Sequence, residues 1–251
     1  MPSISTVTNG AQFAVDSALK SSRAMAGNIA RLSSGIRTKY GNDPAGASVA
    51  DSLTNQARSA DMAARNAEAG ISFLQTAESI LFELANLNTR LRELAVQKAS
   101  TGTLSDADVA AITAEENAIV IAADEINDEQ LNGVDLISEV RVAINFEGSF
   151  AHIGSPTKPT LASGVANCDT QMGNIQNALG HVAAGINALK GHQSGMYALS
   201  ANTYAAASRI ESVDFAKEAA ELAKNKIINQ SSLAMVSQAN QAQMAILGLL
   251  D

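Results

Sequence analysis

Apolar residues recur at alternating steps of four and three along much of the chain, which is the period of helices that pack along one another. The first such stripe begins at Leu53, shifts phase near Leu84 and ends at Leu94. Upstream, Asp43 and Pro44 supply an N-cap and a first helical residue. The pattern therefore predicts one helix over about residues 44–99, on the order of 80 Å long at 1.5 Å per residue.

A second stripe occupies residues 168–189 and predicts another long helix that continues to about Arg209. A shorter helix is predicted over about 106–128, with Ser105 and Asp108 placed as a capping box at its start. The inward residues expected on this shorter helix are Val109, Ile112, Ile119, Ala123 and Ile126.

One region has the alternation of β-strands. Apolar and polar residues alternate weakly over 140–146, which indicates a strand. Residues 147–149 can form a turn, and 150–153 can form a second, antiparallel strand. Prolines then interrupt regular structure over 155–159. The sequence thus predicts three helices and a small hairpin, with a further helical segment at each end.

The two ends differ from the middle, because residues 227–250 contain no charged residue and are rich in Asn, Gln and Ser. Roughly seven apolar side chains give on the order of 10–20 kcal/mol if fully buried, whereas ordering about 35 residues costs 1–2 kcal/mol each. We therefore expect the ends to be ordered by neighbouring copies of the chain. The residues expected to pack between subunits are Ile4, Val15, Ile29, Leu32, Leu233, Val236, Leu247 and Leu250.

Composition narrows the function classes. Aromatic residues make up only 4% of the 251 residues and Trp is absent, which suits long close-packed helices better than a compact globule. The formal charge of −8 argues against binding to nucleic acid. Neither a cleaved signal peptide nor a membrane-spanning segment is expected.

Candidate chemistry is sparse. The chain has no HExxH, GxSxG, P-loop or paired-cysteine motif. The histidines at 152, 181 and 192 are too scattered for a metal site, and we interpret His181 and His192 as solvated helix positions. Cys168 opens an apolar stripe and is interpreted as a small core residue. We predict no enzyme activity, no cofactor and no metal.

Short sequence blocks stand out in both terminal regions of the chain. At the N-terminal side they read RLSSGIR at 31–37, DPAG at 43–46, RNAEAGIS at 65–72, RLRELAVQ at 90–97 and LNG at 131–133. Towards the other end they read SRIE at 208–211, DFA at 214–216 and QANQ at 238–241. These blocks resemble the terminal signatures of bacterial flagellins, and they keep the family's order and spacing.

This resemblance implies a mainly α fold of long antiparallel helical coiled coils with one small β-hairpin and paired N- and C-termini. The family's variable outer domains are expected to be absent. Two domains and a loop are implied. Residues 1–42 with 211–251 would form an inner-tube coiled coil, and residues 43–154 with 165–210 would form a helical core that contains a hairpin at about 134–154. A short loop would occupy 155–164.

The resemblance also implies a function, that of a structural subunit that polymerises into the helical flagellar filament and serves swimming. The implied partners are other copies of the chain, an export chaperone and export apparatus, and the filament cap and hook-junction proteins. The implied location is the extracellular flagellum, reached by the flagellar type III route. No membrane or nucleic acid is implied as a partner.

In many flagellins the RELAVQ stretch and a Glu on the following helix form the surface that the vertebrate flagellin receptor recognises. The matching positions are Arg90, Leu94 and Glu115. The simpler interpretation gives these residues subunit contacts as their main role, and the two roles are compatible if the surface is accessible only in monomers.

Two other functions remain open from sequence. A hook-filament junction protein resembles flagellin at both ends but assembles only a few copies, and the RELAVQ and QANQ blocks favour flagellin over it. A secreted coiled-coil effector or adhesin would instead form a stable soluble oligomer.

Overall fold

The structure, a computed structural model, describes residues 4–39, 41–100, 102–145, 147–153 and 158–248. The fold is mainly α, as predicted, and the helix bounds agree with the hydrophobic pattern to within a few residues. In chain order the elements are α1 (Ile4–Ser34), α2 (Pro44–Lys98), α3 (Asp106–Asn127), β1 (Gln130–Leu131), β2 (Val134–Asp135), β3 (Val140–Ala143), β4 (Phe150–Ile153), α4 (Val165–Glu211) and α5 (Phe215–Leu247).

The chain divides into two compact units. The terminal unit comprises Met1–Leu53 and Ala205–Asp251, and the central unit comprises Thr54–Tyr204. The two long helices α2 and α4 each contribute residues to both units.

Bulky aliphatic side chains form the core of the central unit. The stripe predicted on α2 is buried, and it packs with the stripe predicted on α4. Because each helix places its apolar residues on one side, the two faces can meet along their length. The central members of this core are Ile71, Leu74, Leu81, Leu84 and Leu91 of α2, and Cys168, Ile175, Val182, Ile186 and Leu189 of α4.

The start of α3 is the predicted capping box. The Asp108 amide donates to Ser105 Oγ at 3.3 Å, and the Ser105 amide donates to Asp108 Oδ2 at 2.9 Å. Hydrogen bonds from the Ser105 side chain and backbone hold the pKa of the Asp108 carboxyl below its ordinary value. Because the folded pKa is lowered, this cap contributes stability above the ordinary Asp pKa and loses it as the pH falls through the lowered value.

The hydrophobic pattern missed two polar residues that α3 buries. Glu116 is 2% exposed and accepts a hydrogen bond from Lys98 Nζ at 2.8 Å. Asn127 Nδ2 donates to the carbonyl of Pro159 at 2.7 Å, which ties the end of α3 to the loop before α4. Both groups are buried because the fold supplies them with partners.

The predicted hairpin is present as β3 and β4, which pair antiparallel with Val142 opposite Ala151. A second, smaller pair, β1 with β2, was not predicted as strands. Asn132 and Gly133 form its two-residue turn, with φ of +55° and +76°. These positive angles are those of a type I′ turn, for which Asn-Gly is the preferred sequence.

Gly70 allows β3 to approach α2 closely. A Cβ at this position would lie 2.8 Å from Val142 Cγ2 and 3.0 Å from Leu189 Cδ1. Both neighbours belong to the buried core, so neither can move far. A side chain at residue 70 would therefore separate the hairpin from the helices.

We expect Gly70→Ala to lower the free energy of unfolding of the central unit by about 1–3 kcal/mol, because the added methyl overpacks the core. The matched control is Gly180→Ala on α4, where an added Cβ meets nothing within 4 Å. That change is expected to stabilise by about 0.5–1 kcal/mol through helix propensity. Urea denaturation of both variants measures the difference, and equal effects of the two would contradict the close approach.

Candidate assembly surface

Helices α1 and α5 pack against each other through small and polar side chains. Ala14 and Ala18 of α1 are buried, as are Ser21 on the same helix and Ser232 of α5. Small residues let two backbones approach closely but contribute little apolar area. The pairing of the N- and C-terminal helices agrees with the predicted fold.

Polar contacts fix the register of this helix pair. Asn229 Nδ2 donates to the carbonyl of Ala18 at 2.9 Å and to Ser21 Oγ at 3.1 Å. The hydroxyls of Ser17 and Ser232 are 3.1 Å apart. These contacts lie near the middle of both helices, and Arg31, near the end of α1, contacts Glu218, near the start of α5, so the two helices are antiparallel. Sliding either helix by one turn would break these hydrogen bonds.

A largely buried ion pair closes the other end of the contact. Arg31 Nε donates to Glu218 Oε1 at 2.7 Å, and Arg31 Nη2 donates to Asn28 Oδ1 at 2.8 Å. Arg31 lies in the last turn of α1 and Glu218 in the first turn of α5, where each charge also suits the helix dipole. The pair therefore stabilises both helix ends as well as the register.

The chain leaves α1 and enters α5 through a backbone pairing. Gly35, with φ of +68°, ends α1, and its carbonyl accepts a hydrogen bond from the Val213 amide at 3.1 Å. The Arg37 amide donates to the carbonyl of Glu211 at 2.7 Å. Asp214 Oδ1 then accepts the amides of residues 216 and 217 as the cap of α5. The blocks RLSSGIR and DFA thus supply the two turns of the terminal unit.

The large apolar side chains of both helices face away from this contact. Phe13 is 78% exposed and Met244 is 76% exposed. The pair also leaves a groove of about 360 Å³ lined by Phe13, Lys20 and Ile228 among others. Further exposed apolar residues of the two helices are Val15, Leu19, Ile29, Phe215, Ile227, Leu233 and Met235.

The residues predicted to pack between subunits fall into three groups. Val15, Ile29 and Leu233 are exposed, and all three are more than 40% accessible. Leu32 and Val236 are partly buried. Leu250 lies outside the described residues, as do the side chains of Ile4 and Leu247.

A second candidate surface lies on the central unit, where α2 passes α3. Arg90 Nη2 lies 2.6 Å from Glu115 Oε1, and Arg90 Nη1 lies 3.3 Å from Glu93 Oε2. Hydrogen bonds to Glu115, and then to Glu93, raise the pKa of Arg90 above its ordinary value. Leu94 is 1% exposed and packs beneath this surface. The fold thus brings Arg90 and Glu115 together and buries Leu94.

The remaining candidate residues show no chemistry of their own. His181 and His192 are solvent-exposed on α4, as predicted, and the side chain of His152 is outside the described part of the chain. Cys168 is buried, and burial raises the pKa of its thiol. Among the described residues no group of His, Cys, Asp or Glu has the arrangement of a metal site.

Comparison with known proteins covers nearly the whole chain. The family model for the bacterial flagellin N-terminal helical region matches residues 4–141, and that for the C-terminal helical region matches residues 163–250. The chain belongs to the bacterial flagellin family. Membership makes it a structural subunit of the extracellular flagellar filament that polymerises with copies of itself, and not an enzyme.

Individual flagellin relatives match over similar lengths. Flagellin FlaB2 of Treponema pallidum is 33% identical, over 89% of this chain and 91% of that protein. The flagellar filament 33 kDa core protein of Treponema phagedenis and the flagellin of Bacillus subtilis are each 31% identical, with the same two coverages. As in a short-form flagellin, only residues 154–164 separate β4 from α4.

Within the described ranges, none of the flagellin helices is both long enough and apolar enough to cross a bilayer.

We expect charge reversal at the ion pair to weaken assembled flagellin. Arg31→Glu or Glu218→Arg places like charges together at a site where the side chains are only 17% and 11% exposed, and each should cost roughly 2 kcal/mol or more. The swapped double variant restores the attraction but opposes both helix dipoles, so it should recover only part of the loss. The temperature at which seeded filaments depolymerise measures all three. A double variant no better than the worse single variant would contradict the pairing.

Proposed function

We propose that copies of this flagellin assemble by burying the exposed apolar faces of α1 and α5 against neighbouring copies, and that the resulting filament serves swimming. The observation that carries the proposal is the orientation of the terminal pair, which buries small and polar residues and leaves large apolar ones in water. Each such side chain gains about 1.5–3 kcal/mol when it is buried. Burial of the exposed apolar side chains of α1 and α5 would therefore contribute a large favourable free energy to association.

A helical filament follows if each copy presents different surfaces to its two neighbours. Such head-to-tail contacts extend without closing, whereas a self-complementary contact stops at a dimer. The polar register of α1 and α5 supports the proposal, because a fixed register gives every copy the same pair of surfaces. Uniform surfaces are needed for a regular lattice.

The two domains predicted from the sequence have different proposed places in the filament. Residues 1–42 and 211–251 would line the inner tube, and residues 43–154 with 165–210 would form the next shell. The loop at 155–164 stands where longer flagellins carry outer domains, so the helical shell itself would be the outer surface. The bulky core of the central unit supports a shell that keeps its shape while the terminal helices make contacts.

Export and capping partners complete the proposed assembly. Subunits would leave the cell by the flagellar type III route, held before export by a chaperone. They would add below a filament cap and above the hook-junction proteins. The single cysteine supports passage of an unfolded chain, because no intramolecular disulfide can block it.

We also propose that the free subunit is recognised by the vertebrate flagellin receptor through the surface around Arg90. The exposed, paired side chains of Arg90 and Glu115 support direct contact. Leu94 would act from beneath by holding α2 and α3 in place, because its side chain is buried. Subunit packing remains the main role proposed for these residues.

In the monomer, amide exchange should be fast over residues 225–248, because α5 buries little apolar surface there and local opening costs little. After polymerisation the same amides should become strongly protected. Residues 168–189 of α4 lie in the bulky core and serve as the protected reference in both states. Strong protection of 225–248 in monomers would show that the ends do not need neighbours.

Leu233→Gln should raise the critical concentration for assembly by roughly tenfold or more, since a lost burial of about 1.5–3 kcal/mol exceeds the 1.4 kcal/mol of each tenfold. Leu233→Met keeps volume and hydrophobicity and is the matched control. Sedimentation and electron microscopy after seeding give the polymer fraction, and long filaments of the wild type also exclude the junction-protein role. Growth of long filaments by a chain lacking residues 228–251 would contradict the proposal.

Arg90→Ala in the monomer should reduce receptor signalling at least about tenfold, since charge-assisted hydrogen bonds contribute more than neutral ones. Arg65→Ala is the control, because Arg65 is another exposed arginine of α2 and pairs with Asp61 one turn earlier. A reporter assay with purified monomers compares the two variants. Unchanged signalling by the Arg90 variant would remove the receptor surface.

A further inference from the structure

The β1–β2 hairpin ends in an Asn-Gly turn with little to restrain it. Asn132 and Gly133 are both exposed, and a Cβ added to Gly133 would meet nothing within 4 Å. The flanking pair, Leu131 and Val134, is 43% and 48% exposed, so no core packs against the tip. Nothing but the turn itself keeps the Asn132 side chain away from the backbone that follows it.

The two residues of the turn make no hydrogen bonds of their own. In the described part of the chain, the Asn132 side-chain amide makes no hydrogen bond and the Gly133 amide donates to no acceptor. The backbone pairing of Leu131 with Val134 closes the turn, and Gln130 Nε2 donates to Asp135 Oδ1 at 2.8 Å in the next pair. A two-stranded hairpin of this size is marginally stable, so the turn can open while the helices stay folded.

We propose that Asn132 is a site of spontaneous deamidation in the folded subunit. The Gly133 nitrogen loses its proton to solvent and attacks Cγ of Asn132. The bond from Cγ to Nδ2 breaks, and Nδ2 leaves as ammonia. The product is a five-membered succinimide ring, and glycine permits its closure because no Cβ blocks the attack.

Water then opens the ring at one of its two carbonyls. Opening at the side-chain carbonyl gives an ordinary aspartate at this position, and opening at the backbone carbonyl gives isoaspartate, in which the main chain runs through Cβ and Cγ. Either product adds a negative charge to a hairpin that already contains Asp135. Isoaspartate also lengthens the turn by one atom, which the Leu131–Val134 pairing cannot accommodate.

Two other asparagines lack the combination of an exposed turn, an unbonded side-chain amide and a following glycine. Asn42 also lies in an exposed turn, but its Nδ2 donates to the carbonyl of Lys39 at 3.2 Å and the next residue, Asp43, has a side chain. The second Asn-Gly pair, Asn9 and Gly10, lies in α1, where helical hydrogen bonds hold the backbone amide. Asn42 is thus an internal control within the same sample.

The test uses the full chain with Asn9→Gln, so that opening of α1 in the monomer does not contribute. The protein is aged in mildly alkaline buffer, either folded or unfolded in urea. Isoaspartate is then measured by enzymatic methyl transfer followed by peptide mapping. The matched variant adds Asn132→Gly, which suits the positive φ of the turn and has no amide to lose.

We expect isoaspartate to accumulate in the folded protein in the peptide containing residue 132, at a rate within about tenfold of that in urea, because opening of the tip costs little. The Asn42 peptide should react at least about tenfold more slowly, and the Asn132→Gly variant should show no signal in the hairpin peptide. A folded rate more than about tenfold below the urea rate, or a signal that persists in the Asn132→Gly variant, would overturn the proposal. Neither result depends on whether the subunit polymerises.

Discussion

The contact between α1 and α5 is made by alanine, serine and asparagine, with one buried ion pair at its end. This choice of residues lets the helices approach closely and sets their register through hydrogen bonds. It also means that pairing removes little apolar surface from water. The large side chains of both helices, such as Phe13 and Met244, must find their cover elsewhere. The proposed dependence on neighbouring copies follows from how the pair is packed.

The central unit is built in the opposite way. Leucine and isoleucine of α2 and α4 fill its core, and the buried carboxylate of Glu116 pairs with Lys98. Gly70 lets β3 lie against the helices without a gap. The core of the central unit is therefore closed within the chain, whereas the terminal unit leaves its large apolar side chains exposed.

This division suits a filament subunit that has to exist first as a monomer. Polar contacts set the register of the terminal pair, and under the proposed assembly the exposed apolar surfaces would supply the free energy when copies meet. Neither role needs a reactive side chain, which is consistent with a chain whose cysteine is buried and whose described histidines face solvent. The surface around Arg90 likewise consists of exposed charged side chains on two helices and contains no reactive group.

The sequence by itself determined the helices, their approximate ends, the capping box at Ser105 and the family, because each depends on local spacing or on short motifs. The prediction that neighbouring copies complete the terminal helices remains to be tested. The sequence did not reveal the burial of Glu116 and Asn127, since a buried polar residue looks like a surface residue until its partner is known. The β1 and β2 strands have two residues each, too few to show an alternation of apolar and polar residues.

Only the tertiary structure decided which face of each terminal helix is turned inwards. Periodicity shows that apolar residues share a side of a helix, but not whether that side meets the partner helix or water. Ala18 and Ile29 are both apolar residues of α1, yet the first is buried and the second is 56% exposed. The same limit applies to Leu94, whose motif predicted a surface and whose side chain lies in the core. Packing between segments distant in the sequence determines which face is buried, and local spacing does not predict such contacts.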